Sequence, residues 1–433
     1  LLDNLRAAML VPEIRKRVWF VFAAFTLFVA MIHVQLPNVN EQQWQNLLKN
    51  GAFISFLGFL SGGALQKLSI IAMGITPYIN ASIIMQLMTI ALPQLEELAK
   101  KGGEEGRKTI ARYTRWLTIV LAIVQATTMS IYMRNSGIFY DRSIWFLLYA
   151  IIAFVAGTMF LMWLGEQITD KGIGNGVSLI IFVGIVLRYP TYVQQTIQLG
   201  QKEGLNVLGL LIYLVIALLT IVSIVFMYLG QRRIPVQQAR RVVGRKLYAG
   251  RSTYIPLRLN NAGVISIIFA ISLLFLPQQV FGWFIAGAAS ANPAGWQSKV
   301  GLLFNTYFSQ SSFLYNLAFF VLVVIFTFFY SSVVVNTKDI AENLNKSSSS
   351  IPGIRPGRPT VDYLNKVLLR LTTVSAIYLG LLAVLPQILQ RGLNVTTFYV
   401  GSTSLLIIVG VALDTMTQLE ARLAMRDYKG IMR

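Results

Sequence analysis

Leu205-Asn-Val-Leu-Gly-Leu-Leu-Ile-Tyr-Leu-Val-Ile-Ala-Leu-Leu-Thr-Ile-Val-Ser-Ile-Val-Phe-Met-Tyr-Leu229 runs for 25 residues without a charge, and Gly230-Gln-Arg232-Arg233 follows at once. A helix needs about 20 apolar residues to cross the hydrocarbon of a bilayer. This stretch has them, and a basic stop beyond. Phe313 to Val335 repeats the pattern, again uncharged. The apolar residues run on continuously instead of alternating, which excludes the strands of a membrane barrel.

The whole chain fits that reading. Only 12% of its 433 residues are charged and 55% are hydrophobic, against about 25% charged in soluble domains. Ten segments are predicted to span: 18–36, 75–92, 116–133, 144–164, 177–187, 205–229, 261–277, 313–335, 371–389 and 398–413. The shortest, 177–187, ends at Arg188-Tyr189-Pro190. No cleavable signal pattern is legible, since Arg15-Lys16-Arg17 leads into a full-length span with no small-residue cleavage site after it. The chain has no cysteine, so disulfides, thiolate metal sites and cysteine nucleophiles are excluded.

The net charge is +20, from 37 basic and 17 acidic residues. With both termini on the cytoplasmic side, 29 basic residues fall in inside segments and 8 in outside ones. That asymmetry satisfies the positive-inside rule and sets the orientation. It also disperses the charge, which argues against a nucleic-acid-binding protein. Ten spans permit two five-span halves, 1–200 and 201–433. Five is odd, so the halves would be inverted, with a pathway between them at the midplane. No sequence repeat marks them.

Three segments break the pattern. Residues 51–73 are half apolar, glycine-rich and too interrupted to span, and Gly74 and Pro77 separate them from the next span. From the residues alone they form either an interfacial loop helix or a re-entrant piece sealing a pore. The loop at 231–258 carries Arg232, Arg233, Arg240, Arg241, Arg245, Lys246, Arg251 and Arg258 with no acid. These charges either hold the loop inside or form a docking surface for an acidic or phosphate-rich partner. The loop at 336–370 joins a flexible Asn345-Lys346-Ser347-Ser348-Ser349-Ser350 to a stiff Ile351-Pro-Gly-Ile-Arg355-Pro-Gly-Arg358-Pro. The second piece displays Arg355 on a constrained turn, suited to carboxylate or phosphate. Gly172-Ile-Gly174-Asn-Gly176 follows a membrane helix and lacks the Lys-Ser/Thr of a phosphate loop, so it reads as a tight turn.

The spans lack a charge near their centres, where ion-coupled transporters keep Asp, Glu or His. One histidine, His33, cannot supply a His-Glu-x-x-His protease site. A passive conduit remains, closed by bulky apolar side chains. Ile75 with Ile79, and Val177 with Ile181, are paired at i,i+4. Such pairs are more often helix packing than pore.

Two signatures carry a resemblance. Ser61-Gly62-Gly63-Ala-Leu-Gln-Lys-Leu-Ser-Ile-Ile-Ala-Met-Gly74-Ile75-Thr-Pro77-Tyr78-Ile79-Asn-Ala-Ser82 and Met162-Trp163-Leu-Gly165-Glu166-Gln167-Ile-Thr169-Asp-Lys-Gly172-Ile-Gly174-Asn175-Gly176 resemble those of the SecY family of protein-translocation channels, in its bacterial form. Gly230-Gln-Arg-Arg-Ile, Ile351-Pro-Gly-Ile-Arg355-Pro-Gly and Gly401-Ser-Thr-Ser-Leu-Leu-Ile407 follow in the family's order.

The resemblance implies an all-α polytopic membrane protein. Ten transmembrane helices in two inverted five-helix halves would form a clamshell around a central pore, hinged near span five and opening sideways between spans two and seven. It implies a pore ring of Ile75, Ile79, Val177, Ile181, Ile268 and Ile407, with Val177 smaller than the expected isoleucine. The plug would lie at about 61–73 and include Ser61, Gly62, Gly63, Ala64 and Leu65. Asn80, Gln86 and Asn260 match polar positions of the lateral gate. Arg232, Arg233, Arg240, Arg241, Arg245, Lys246, Arg355 and Arg358 would dock the SecA motor ATPase and the ribosome, although Ser347 to Ser350 departs from the family pattern. SecE, SecG, preprotein signal sequences and membrane lipid complete the implied partners. No cofactor and no catalysis are implied, and the location is the bacterial inner membrane with both termini cytoplasmic. The competing readings are a ten-span secondary transporter and an insertase or scaffold without a through-pore.

Overall fold

The computed structural model describes residues 10–50, 62–203, 207–238, 241–243, 246–248, 252–274, 312–393 and 402–431. In chain order the elements up to residue 229 are α1 (Pro12–Ile32), α2 (Glu41–Asn50), α3 (Thr76–Ala91), α4 (Pro93–Lys101), α5 (Gly103–Asn135), α6 (Ile144–Lys171), α7 (Gly176–Glu203) and α8 (Val207–Leu229). Then come β1 (Gln231–Gln238), β2 (Arg241–Val243), β3 (Lys246–Tyr248), β4 (Ser252–Arg258) and α9 (Ile265–Leu274). The last five are α10 (Phe313–Val334), α11 (Thr337–Lys346), β5 (Ser349–Ser350), α12 (Arg358–Leu393) and α13 (Ser402–Ile431).

Each of the ten segments expected to span contains a helix among its described residues, though 33–36 and 261–264 lie outside α1 and α9. Among the described residues five helices are long and apolar enough to cross a bilayer by composition, and α3 with α4 makes a sixth candidate bent by 105°. The bend has a local cause. Pro93 disfavours helical geometry at Leu92, which is extended at φ −106° and ψ 115°, and then opens α4 itself. Helix α7 outruns its expected end. It continues through Pro190 to Glu203, because one missing ladder bond does not stop a helix whose flanking turns are intact.

Contacts between loops sort by side. Val39 bridges Phe139, Asn40 N–H reaches the Ile138 carbonyl at 2.8 Å, and Gln35 bridges Ser69, all in loops expected outside. The Arg17 guanidinium donates to the carbonyls of Asp170 and Gly172, and Ile14, Ile173 and Leu419 pack together, all expected inside. Loops from opposite faces are not joined by any of these contacts.

The segments expected inside hold more order than expected of loops. Strands β1 and β4 form an antiparallel ribbon, Gln231 opposite Arg258 through Gln237 opposite Ser252. Strand β5 adds to the other edge of β1, with Gln237 opposite Ser350 and Gln238 opposite Ser349. The serine run expected to be flexible is therefore the end of α11 and a short strand. Ile234, Val236, Leu257, Ile351 and Leu364 bury together beneath the sheet. Each such burial contributes about 1.5–3 kcal/mol, enough to hold three short strands.

Candidate functional site

Of the segment expected at 51–73, residues 51–61 lie outside the described residues; over 62–75 the chain makes consecutive turns and no helix. Gly62, Gly63 and Gly74 take positive φ, as does Leu68 at 49°. A helix cannot pass through four such residues. The segment is nonetheless packed. Ala64 and Ile71 are fully buried, and Leu65 and Leu68 are 2% exposed. Ser61 lies outside the described residues.

Its surroundings fasten it. Ser69 N–H reaches the Ala64 carbonyl at 2.9 Å, and the Ser69 hydroxyl donates to Met31 O at 2.7 Å. Leu36 N–H and Leu68 O, and Ile70 N–H and Val34 O, tie it to the end of α1. The Trp44 indole donates to Leu65 O at 2.9 Å. His33 Nδ1 lies 2.9 Å from Val29 O, a contact that requires a proton on that nitrogen. Nε2 is then the acceptor for Lys67 Nζ, 2.8 Å away. The histidine thus holds the segment from outside. Glycines let helices close on it. A Cβ at Gly157 of α6 would collide with the Ile70 carbonyl, and one at Gly62 with the backbone of Gly184 in α7.

Inward of this segment, the six expected ring positions share one apolar cluster. Ile75, Ile79, Ile181, Ile268 and Ile407 are buried in it, and the half-buried Val177 packs against it. They come from the start of α3, from α7, α9 and α13. Ala64 and Ile71 of the turn segment belong to the same cluster. Leu65, Leu68 and Ala72 face a second cluster, with Trp44, Phe139 and Phe154. The segment is therefore wedged between the two apolar clusters.

Of the expected gate residues, Asn80 and Asn260 are buried and Gln86 is half-buried. Asn80 is 1% exposed. Gln86 donates to the Ser82 hydroxyl at 3.4 Å. Asn260 caps the approach to α9, its Oδ1 accepting from Gly263 N–H at 2.9 Å. Asn80 lies within α3 and Asn260 shortly before α9, two helices that carry expected ring positions. Among the docking residues, Arg232, Arg233, Arg355 and Arg358 are exposed. Arg233 lies over the Tyr254 ring at 5.0 Å. Arg355 is set by Thr360, whose hydroxyl donates to Arg355 O at 2.8 Å. Arg240 and Arg245 lie outside the described residues, as do the side chains of Arg241 and Lys246.

The glycine run is a turn, as expected. Gly174 at φ 94° donates to Gln418 Oε1, and Gly176 N–H to the Thr169 hydroxyl. Asn175 caps α7 through Ser178 N–H. The reading of the sequence missed Tyr228 and Asp414, hydrogen-bonded across 186 positions. No local pattern announces such a pair.

The profile of the SecY family matches residues 69–416. A protein translocase subunit SecY from Pseudomonas aeruginosa is 41% identical over 423 residues, covering 97% of this chain and 93% of its own. The chain belongs to the SecY family. The fold agrees. One SecY structure, whose plug domain is described as stabilising the closed state of the translocation channel and maintaining a membrane seal, superposes with a TM-score of 0.65 at 18% identity, covering 94% of this chain and 92% of that one. The canine Sec61 channel bound to the ribosome superposes at 0.61 with 16% identity, again covering 94% and 92%. As a SecY-family chain it is a multi-pass membrane protein, and its wedge at 62–75 falls where the signature lies.

Proposed function

We propose that this chain is the channel-forming subunit of a bacterial protein translocase, conducting unfolded preproteins across the inner membrane and releasing apolar segments sideways into it. The carrying observation is that six apolar side chains from four elements share one buried apolar cluster with Ala64 and Ile71 of the glycine-rich wedge. Such a ring seals by dewetting and needs no charge. It yields to any polypeptide sequence, which a site of fixed charges would not. The activity is conduction, not catalysis. A ten-span transporter is not favoured, since the chain's relatives are protein translocase subunits.

In this reading 62–75 is the plug, and Ile75, Ile79, Val177, Ile181, Ile268 and Ile407 form the constriction. Asn80, Gln86 and Asn260 lie at a lateral gate between the two halves, 1–200 and 201–433. Buried amides there cost little when the gate opens to a signal sequence, because the open state hydrates them. The sheet and the Arg355 turn offer exposed guanidinium groups to a ribosome, as the likeness to ribosome-bound Sec61 supports, and to the SecA motor. SecE and SecG would stand beside the apolar outer faces. Both termini would be cytoplasmic, in keeping with the basic inside segments.

Single cysteines at Ile79, Ile268 and Ile407, with Leu214 as the lipid-facing control at 50% exposure, test the pathway. The chain has no cysteine of its own. A preprotein stalled in transit should form disulfides with the three ring positions and not with residue 214. Linking only at loop sites such as Arg355 would mean that the chain docks preproteins and conducts them elsewhere.

A further inference from the structure

The glycine run 172–176 does more than turn the chain. On the side expected inside, it is where residues 1–200 meet residues 201–433. Its hold on the first half is firm. The Arg17 guanidinium of α1 donates to the carbonyls of Asp170 and Gly172, each at 3.2 Å. Gly176 N–H donates to the Thr169 hydroxyl at 2.9 Å. A Cβ at Gly176 would collide with the Gly165 carbonyl, and one at Gly172 would stand 2.8 Å from the Val21 side chain.

The other partner is α13, from the second half. Gly174 N–H donates to Gln418 Oε1 at 3.1 Å. Gly174 has φ +94°, and a Cβ there would lie 3.0 Å from the Thr415 hydroxyl. That hydroxyl is itself fixed, donating to Val411 O at 2.7 Å. A residue without a side chain lets α13 come this close. Ile173 and Leu419, 3% and 5% exposed, bury together with Ile14 beside it. Beyond the turn, α7 and α13 pack directly on each other.

The far end of α7 is tied to the second half by the chain itself. α7 ends at Glu203 and α8 begins at Val207, and four residue steps reach no more than about 14 Å. The second half is thus held at both ends of one helix, by the backbone at one and by the glycine turn at the other. A body held at two points turns only about the line through them, and that line runs along α7. Both helices of the contact carry ring positions. Val177 and Ile181 follow the turn on α7, and Ile407 lies about three helical turns before Gln418, on the same face of α13.

We infer that Gln418 and the Gly174 turn form a clasp that keeps α7 and α13 together while the channel opens, so that the halves part about α7 and the ring widens between Ile79 and Ile268. Gln418 is a positioning residue in this scheme. The inference rests on the channel reading. Rotation about α7 leaves both fastenings intact. Separation at the turn would uncover Ile173 and Leu419 and unpair the Gly174 N–H, so it is the costlier way to open.

The test uses the full chain in membranes with its motor, and reads the export rate of one preprotein. Ile173→Cys with Leu419→Cys, joined by a short bis-maleimide, locks the clasp. Ile79→Cys with Ile268→Cys, joined in the same way, locks the ring across the gate. The first cross-link should leave export within about twofold of the same variant untreated, as a hinge point allows. The second should abolish it. Gln418→Leu keeps the bulk and loses the acceptor, and should slow export about two- to tenfold, as for one hydrogen bond. Closing the 173–419 cross-link in that background should restore the rate, which a general folding defect would not permit. Gln418→Glu, whose carboxylate still accepts, should stay near the parent. Arrest by the 173–419 cross-link, an unchanged rate in Gln418→Leu, or a slowed rate that the cross-link does not restore overturns the clasp while leaving the channel standing. Export that continues through the 79–268 cross-link overturns the channel reading and the clasp with it.

Discussion

Gly62 rests on Gly184 with no room for a side chain between them: a Cβ at 62 would stand 2.7 Å from the Gly184 Cα. Gly62 also has φ +65°, while the neighbouring Gly63, at φ +89°, has open space around its Cβ position. The two positions separate strain from collision. Gly63→Ala carries only the left-handed cost, about 1–2 kcal/mol. Gly62→Ala adds overpacking of about 1–3 kcal/mol. Vesicles with Gly62→Ala should leak ions through the resting channel, and Gly63→Ala vesicles should leak much less. Equal leaks would mean that the contact with α7 does not seat the plug.

Ser69 is fully buried, and its hydroxyl accepts from Ile71 N–H at 3.3 Å while donating to Met31 O. Ser69→Ala leaves a buried N–H without its acceptor, which costs about 1–3 kcal/mol. The cost falls on the 62–75 segment alone. Limited proteolysis should cut there sooner, with the melting temperature of the remainder little changed.

Arg115 and Glu166 join α5 to α6 at 2.8 Å, yet the arginine side chain is 51% exposed. A pair this wet is worth about 0–1 kcal/mol. Glu166→Gln should therefore shift thermal unfolding by no more than a few degrees, and less in high salt. A large loss would mean that the pair is buried against something else in the assembled translocase.

Arg355→Glu should leave thermal unfolding within about 0.5 kcal/mol of the parent, as expected of an exposed site. Binding of the motor should fall at least tenfold, since the charge is reversed on a turn that Thr360 holds in place. Thr360→Ala should give a smaller loss by loosening the turn. Equilibrium binding to vesicles carrying the complex reads both.

The spans, and the break in pattern before α3, were legible because their signals are local. Twenty apolar residues make a span wherever they fall, and Gly74 with Pro77 marks the entry to α3 by backbone restriction alone. The glycine run before α7 was equally plain. The sheet was not. Pro235 and Pro256 sit inside β1 and β4, and a proline ordinarily argues against a paired strand. The ribbon survives because Ile234, Val236 and Leu257 gain a core from residues beyond 350, which no window on 231–258 contains. Tyr228 and Asp414 were hidden for the same reason: their partnership is made by the packing of α8 on α13. Pro190 misled in the opposite direction, suggesting an end where the helix continues.

The short ladder between β1 and β5 makes a stiff linkage of two segments more than a hundred residues apart. A push on the Arg355 turn cannot move it past the ribbon without tearing two residue pairs and the small core under them. The load passes instead along β1 and β4 to Gly230 and Leu259, and arrives at the first turn of α9. A motor that seizes this handle would deliver its stroke as leverage on a single helix, with little lost to slack in the loops.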